Sequence, residues 1–403
     1  MKAMKNAMKC LVAVFVMAMA FVMTGITAEA AVTGLAQIDA GTSSVKVQYN
    51  TVSGQKYYGY EVATDAAFAN VVKKNYDITT ATSDYIYVSG LSEGSTYYVR
   101  IGHGTSSSAC YANWSAPLEV ITAPGSVTVS FIDATDNTAT ISFSANGANL
   151  YRIFDSAGNL IGQTNATSYA ITMNNEMNNY YRVQPCRTNS AGTSIATNYD
   201  RGVYVNLLTT KISKDNFGIT GVLDAINELK VAALFSGSGF EVEFTNVGGK
   251  KYSKTASATK SYAYTGSDTM YFPYKQGRYL KYRVRAYVQT DAGIKYGEWS
   301  DYRAFCELDV KLRYTRQYGK ITVKWNKASG TGKIKVAVSK KEKSGFKSFK
   351  TLKGSAKSVT VNKIGKSKLS GNKKYYIKLT PMVKIGKKYV NSDYIMVYSA
   401  KTR

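Results

Sequence analysis

Few residues in this chain could carry catalytic or metal chemistry. His103 is the single histidine. Proton shuttling or zinc binding would need a partner base or further nitrogen and sulfur ligands beside it. Cys10, Cys110, Cys186 and Cys306 are too far apart in sequence for a chelating or redox pair. Neither a Gly-Lys-Ser/Thr phosphate loop nor a Gly-x-Ser-x-Gly elbow occurs. Glu241 and Glu243 read as outward positions of a strand. A carboxylate pair for glycoside hydrolysis is left open, but it would need a cleft to hold the sugar. The residues therefore predict a non-enzymatic protein with no catalytic, metal-ligating or cofactor-binding residue.

Lysine is the residue type that does stand out. The formal net charge is +26, and from Leu308 to Arg403 there are 26 Lys plus Arg against 3 Asp plus Glu. Residues 31–307 are nearly balanced, with 23 basic and 22 acidic residues. Lys324, Lys335 and Lys378 alternate with apolar neighbours, so they fall on outward strand positions. Lys340, Lys341, Lys343, Lys347, Lys350, Lys353, Lys357, Lys373, Lys374, Lys387 and Lys388 fill loops and strand ends. Arginine is scarce here, and lysine acts as a mobile point charge rather than a fixed bidentate fork. This pattern predicts diffuse attraction to a polyanion: an anionic cell-wall polymer or an acidic polysaccharide. The competing expectation is that the lysines keep a secreted sandwich soluble and its edge strands unpaired. A secretory-type start, with Lys2, Lys5 and Lys9 before an apolar run from Cys10 to Met23, argues against nucleic acid as the partner.

The elements that carry these lysines recur. A tyrosine opens an alternating strand at Tyr97, Tyr181, Tyr282 and Tyr375, at spacings of 84, 101 and 93 residues. A polar turn follows each: Trp114-Ser115, Asn198-Tyr199-Asp200, Trp299-Ser300-Asp301 and Asn391-Ser392-Asp393. Period-2 runs dominate, as in Val45-Lys46-Val47-Gln48-Tyr49 and Ile321-Thr322-Val323-Lys324-Trp325. A period of about 100 residues suits a sandwich domain. The expected fold class is all-β, with tandem immunoglobulin-like sandwiches over 31–122, 123–208, 209–307 and 308–403. Short linkers predict a beaded rod. One stretch, Phe217 to Leu234, has a partly helical look.

Each repeat resembles a fibronectin type III domain of secreted bacterial proteins. The resemblance rests on a leucine, five residues, then Tyr-x-apolar-basic-apolar. Leu91 precedes Tyr97-Tyr98-Val99-Arg100-Ile101, and Leu369 precedes Tyr375-Tyr376-Ile377-Lys378-Leu379. Trp-Ser closes the next loop at Trp114-Ser115 and Trp299-Ser300, and Trp325 sits on a second strand. The resemblance implies that the four tyrosines are corner residues whose hydroxyls bond nearby backbone.

The first 30 residues read as a secretory signal peptide: Lys2, Lys5 and Lys9, an apolar run from Cys10 to Met23, then Ala28-Glu29-Ala30. No membrane span is expected in the mature chain, and the C-terminal end shows no wall-sorting signal. With one cysteine in each of the first three repeats, three unpaired thiols are expected. Rings such as Tyr57, Tyr58, Tyr262, Tyr264, Tyr271 and Tyr274 could face sugars, or could be ordinary half-buried strand residues. His103 is expected in a solvated loop. The combined expectation is a secreted binding or spacer protein at the cell envelope, tethered by its basic last repeat. The alternatives are a pure spacer, or an adhesin using loops of the first three repeats to hold polysaccharide or protein.

Overall fold

The computed structural model describes residues 30–173, 179–197, 201–223, 228–247, 251–257, 267–274, 276–330 and 332–403. The expected signal segment, Cys10 included, falls on residues 1–29, outside the described residues, as do Tyr262 and Tyr264. Every regular element among the described residues is a β-strand.

The first repeat holds β1 (Thr33–Gly41), β2 (Ser44–Asn50), β3 (Tyr57–Ala63), β4 (Val71–Ile78), β5 (Ser83–Ser89), β6 (Thr96–Ile101) and β7 (Leu118–Ile121). The second holds β8 (Thr128–Ala134), β9 (Thr138–Ser144), β10 (Leu150–Phe154), β11 (Leu160–Thr164), β12 (Ser168–Thr172), β13 (Asn179–Thr188), β14 (Ser194–Ala196) and β15 (Arg201–Val205). The third holds β16 (Phe217–Leu223), β17 (Glu228–Leu234), β18 (Gly239–Asn246), β19 (Lys251–Ser257), β20 (Ser267–Pro273), β21 (Leu280–Thr290), β22 (Gly293–Tyr296) and β23 (Arg303–Phe305). The fourth holds β24 (Val310–Gln317), β25 (Lys320–Trp325), β26 (Gly332–Ser339), β27 (Lys347–Lys353), β28 (Ser358–Val361), β29 (Lys363–Ile364), β30 (Ser367–Lys368), β31 (Lys374–Ile385), β32 (Lys388–Asn391) and β33 (Met396–Lys401).

In the first, third and fourth repeats a three-stranded sheet faces a larger one in the same strand order. The first repeat has β1-β2-β5 against β4-β3-β6-β7. The third has β16-β17-β20 against β19-β18-β21-β22, with β23 also on β21. The fourth has β24-β25-β28 against β27-β26-β31-β32, with β33 also on β31. In the second, β12-β9-β8 forms the small sheet. The ladders β1–β2, β9–β12, β16–β17, β18–β21 and β26–β31 are antiparallel. The alternation of the sequence puts Val45, Val47 and Tyr49 of β2 inside with Val99 and Ile101 of β6. The equivalent core of the fourth repeat collects Ile321, Val323, Trp325, Ile334, Val336, Ile377 and Leu379. Trp325 donates its indole N–H to the Ala356 carbonyl at 2.6 Å.

Phe217 to Leu234 corrects its helical look. It folds as β16 and β17, paired from Phe217↔Ala233 to Leu223↔Glu228. Strand β17 also pairs along its length with β20. Ladder hydrogen bonds on both sides of β17 outweigh a weak local helix preference.

The chain divides into two compact units. One comprises Met1–Val127, Ser144–Arg152 and Gln184–Asp200; the other comprises Thr128–Phe143, Ile153–Val183 and Arg201–Arg403. Within the first unit, the turns at Gly94 and Gly147 meet face to face. A Cβ on Gly147 would lie 2.3 Å from the Gly94 Cα, and both glycines have positive φ. Arg187 locks the joint by donating to the Gly147 carbonyl at 2.8 Å and to Thr96 Oγ1 at 2.9 Å.

Within the second unit, the third and fourth repeats share a core. Tyr279, Ala304 and Cys306 pack with the fourth repeat's interior. Short parallel bridges join Arg278 to Ser329 and Ala304 to Ser392. Asp393 accepts from Arg303 Nη2 at 2.8 Å and Nε at 3.0 Å, and also from the buried Tyr282 hydroxyl.

Candidate binding surfaces

Strand register decides which lysines of the last repeat stand together. On β26, Ile334, Val336 and Val338 point inward, so Lys333 and Lys335 point outward. Residues directly opposite share a face. Lys333 is opposite Lys353 on β27, Ala337 opposite Lys378 on β31, and Lys374 opposite Lys401 on β33. Lys384, opposite Tyr389, continues the row. One sheet face therefore carries Lys333, Lys335, Lys353, Lys374, Lys378, Lys384 and Lys401. Rings lie among them. Lys333 Nζ is 4.2 Å from the Tyr389 ring centre, Lys374 Nζ is 5.1 Å from Tyr376, and Lys378 Nζ is 5.5 Å from Phe346. Among the described residues, no lysine beyond Leu308 forms an ion pair.

The other lysines point elsewhere. Lys324 lies on the outer face of β24-β25-β28. Lys340, Lys341 and Lys343 lie in the β26–β27 loop, Lys357 lies before β28, and Lys373 lies before β31. Lys387 lies in the β31–β32 turn and Lys388 opens β32, opposite Ile385. Lys347 and Lys350 are opposite the inward Val338 and Val336, at the sandwich edge. Lys333, Lys384 and Lys401 join the face although the alternation reading did not single them out. Alternation along β26 and β31 puts Lys333 and Lys384 outward, and cross-strand register adds Lys401 opposite Lys374.

The tyrosine corners differ among repeats. Tyr97 Oη accepts the Ser92 N–H at 3.0 Å, and Tyr375 Oη accepts the Ser370 N–H at 3.0 Å. Tyr282 instead directs its hydroxyl to Asp393. Burial, then the Asp393 charge, pushes its phenol well above the ordinary value. Tyr181 is half-buried in β13, opposite Val203.

The Trp-Ser motif has a local logic. Ser115 N donates to the Ile101 carbonyl while its hydroxyl accepts the Ile101 N–H at 3.0 Å. Ser300 does the same with Val284. Ser392 N donates to the Pro381 carbonyl, but Pro381 has no N–H to return. The Ser392 hydroxyl is thereby freed and accepts the Cys306 N–H at 2.9 Å across the joint.

The outward faces of the first and third repeats carry cation–ring ladders. In the third, Arg285 lies 3.8 Å from Tyr296 and 4.6 Å from Trp299, and Arg283 lies 4.6 Å from Trp299 and 4.8 Å from Tyr302. Arg283 and Arg285 also pair with Glu243 and Glu241. Outward placement of these carboxylates thus does not mean exposure, because the Glu243 side chain is only 4% exposed. In the first repeat, Arg100 lies between Phe68 at 4.3 Å and Trp114 at 4.5 Å and binds Glu61 at 2.6 Å. Burial alone would push the Glu61 carboxyl up. Hydrogen bonds and charge from Arg100 and Lys74 outweigh it and hold the carboxyl below the ordinary range.

His103 corrects the expectation of a solvated loop residue. It is fully buried, with Nε2 at 2.9 Å from the Ala30 carbonyl. Cys110, Cys186 and Cys306 are free and buried, and burial raises each thiol above its ordinary value. Tyr58 and Tyr274 are core residues rather than presented rings. Among the described residues, no cluster of His, Cys, Asp and Glu could hold a metal, and no helix is long and apolar enough to cross a membrane.

The three-strand and four- or five-strand sheets, in this recurring order, define tandem fibronectin type III-type β-sandwiches. No family model matches the sequence, and no curated protein matches it. Among solved structures, a tetra-tandem repeat in the extending region of a large adhesion protein aligns over 93% of this chain and 100% of its own, at 13% identity and TM-score 0.24. The chicken CNTN1 FN1-FN3 domains align over 70% of this chain and 99% of theirs, at 11% identity and TM-score 0.23. The structure of PhoD aligns over 27% of this chain, at 22% identity and TM-score 0.20, and the match spans 20% of that protein. At these scores the fold assignment rests on the strand order itself.

Proposed function

We propose that this chain is an exported, non-enzymatic binding and spacing protein, held at the cell envelope by its last repeat. The anchor is the lysine face of β27-β26-β31-β33, and its partner is an anionic wall polymer or acidic polysaccharide. The carrying observation is the placement of like charges directly opposite one another, at Lys333/Lys353 and Lys374/Lys401. Such pairs are destabilising. Solubility alone would be served by lysines spread over loops. A polyanion laid across the strands would relieve the repulsion at every pair.

The test is salt elution of the full-length protein from immobilised polygalacturonate and from purified cell wall. Wild type should be retained at low salt and released as screening shortens the reach of its charges. Lys333→Glu with Lys401→Glu converts both repulsive pairs into attractive ones. This variant should melt no lower than wild type yet elute at clearly lower salt. Elution at the same salt as wild type would assign the lysines to solubility and leave a spacer without this anchor.

A further inference from the structure

Tyr57, Tyr76, Tyr111 and Trp114 form a ring platform on the outward face of the first repeat, around Lys74. Tyr57 and Tyr76 have ring centres 6.4 Å apart, and Tyr111 and Trp114 have theirs 6.3 Å apart. Lys74 Nζ lies 4.2 Å from the Tyr111 ring and 3.0 Å from Glu61 Oε1. Strand register explains the gathering: Tyr76 is opposite Gly59, and Lys74 is opposite Glu61.

The bed for this platform is built by glycine. A Cβ on Gly59 would meet the Cys110 carbonyl and the Tyr111 ring at 2.8 Å. A Cβ on Gly102 would meet the Ala112 carbonyl at 2.4 Å. The bare sheet lets the 105–114 loop lie flat and lay its rings beside β4. The third repeat offers a contrast, since each arginine of its ladder is flanked by rings and paired with its own carboxylate. In the first repeat Tyr76 is 41% exposed and the Lys74 side chain 50% exposed. Among the described residues, Glu61 is the one carboxylate paired with both Arg100 and Lys74, which leaves one positive charge in surplus.

We infer that this platform is a second binding site, for a pyranose chain bearing carboxylates. Tyrosine and tryptophan rings offer apolar faces to sugar C–H groups and polar edges to hydroxyls. The surplus ammonium complements a uronate carboxyl. From Tyr57 to Glu61 the strand spans about 13 Å, long enough for a short run of sugar rings. The site is independent of the lysine face, because stacking persists at salt that screens long-range attraction.

The experiment titrates full-length protein with oligogalacturonate and with a neutral cello-oligosaccharide, reading tryptophan fluorescence in about 1 M salt, where the screening length falls to about 3 Å. Wild type should show a saturable shift with oligogalacturonate and weaker binding of the neutral chain. Tyr76→Ala and Tyr111→Ala should each weaken binding by about tenfold. Tyr76 is exposed on an edge strand, so its loss leaves the fold intact. Lys74→Gln should abolish the preference for the acidic chain. Tyr87→Ala, an exposed ring on the opposite sheet, should bind like wild type. No saturable shift at high salt, or a Tyr76→Ala titration that matches wild type, would overturn the site whatever the lysine face does.

Discussion

Asp393 concentrates more of the fold in one side chain than any charge pattern in the sequence suggests. It receives a two-nitrogen contact from Arg303 and the hydroxyl of Tyr282, both from the neighbouring repeat. Its side chain is 14% exposed and that of Arg303 is 28% exposed. Removing one partner of such a pair strands the other's charge in a poorly hydrated place. Asp393→Ala should lower the unfolding free energy by about 3 kcal/mol, measured by denaturant titration at unchanged m-value. A loss below about 0.5 kcal/mol, as for an ordinary surface pair, would show that the contact contributes little. The sequence marks Asp393 only as a member of a turn motif. Its partner lies 90 residues away, and no local pattern encodes that pairing.

At the scale of elements, alternation is what the sequence states most clearly. Each apolar residue of β25 and β26 that alternation places inside is inside, because one face of a strand must leave water. Register is less legible. The lysine face assembles only when Lys333 meets Lys353 and Lys374 meets Lys401, which depends on loop lengths and on a bulge between Val336 and Ala337. Turn glycines carry a further constraint. Gly147 has φ near +73°, and a Cβ there would lie 2.3 Å from the Gly94 Cα across a repeat joint. Gly147→Ala should therefore destabilise by about 1–3 kcal/mol, from left-handed strain plus the steric clash. Thermal unfolding of the variant against wild type measures it, and an unchanged midpoint would mean that the joint opens at no cost.

For the whole molecule, the junction at Glu307 and Leu308 matters most. Sequence spacing separates two repeats there, yet Tyr279, Ala304 and Cys306 complete the core of the following repeat. A chain ending at Glu307 would bare those residues. Cys306, fully buried in the full chain, should then react rapidly with a thiol reagent under native conditions, whereas it should stay protected in the full-length protein. Equal protection in both would show that the third repeat closes its own core. For the same reason, surface charge reversal tests the anchor more cleanly than truncation does.

The sequence by itself determined the all-β class, the recurring tyrosine strands, the inward apolar set and the concentration of lysine after Leu308. These follow from period-2 alternation and composition, which are local or additive properties of the chain. Only the tertiary structure decided which lysines share a face, that His103 is buried, that Glu241 and Glu243 lie under arginine and rings, and that Tyr57, Tyr76, Tyr111 and Trp114 meet. Those outcomes depend on cross-strand register and on loops folding back over glycine, where residues far apart in sequence must be brought together before any contact exists.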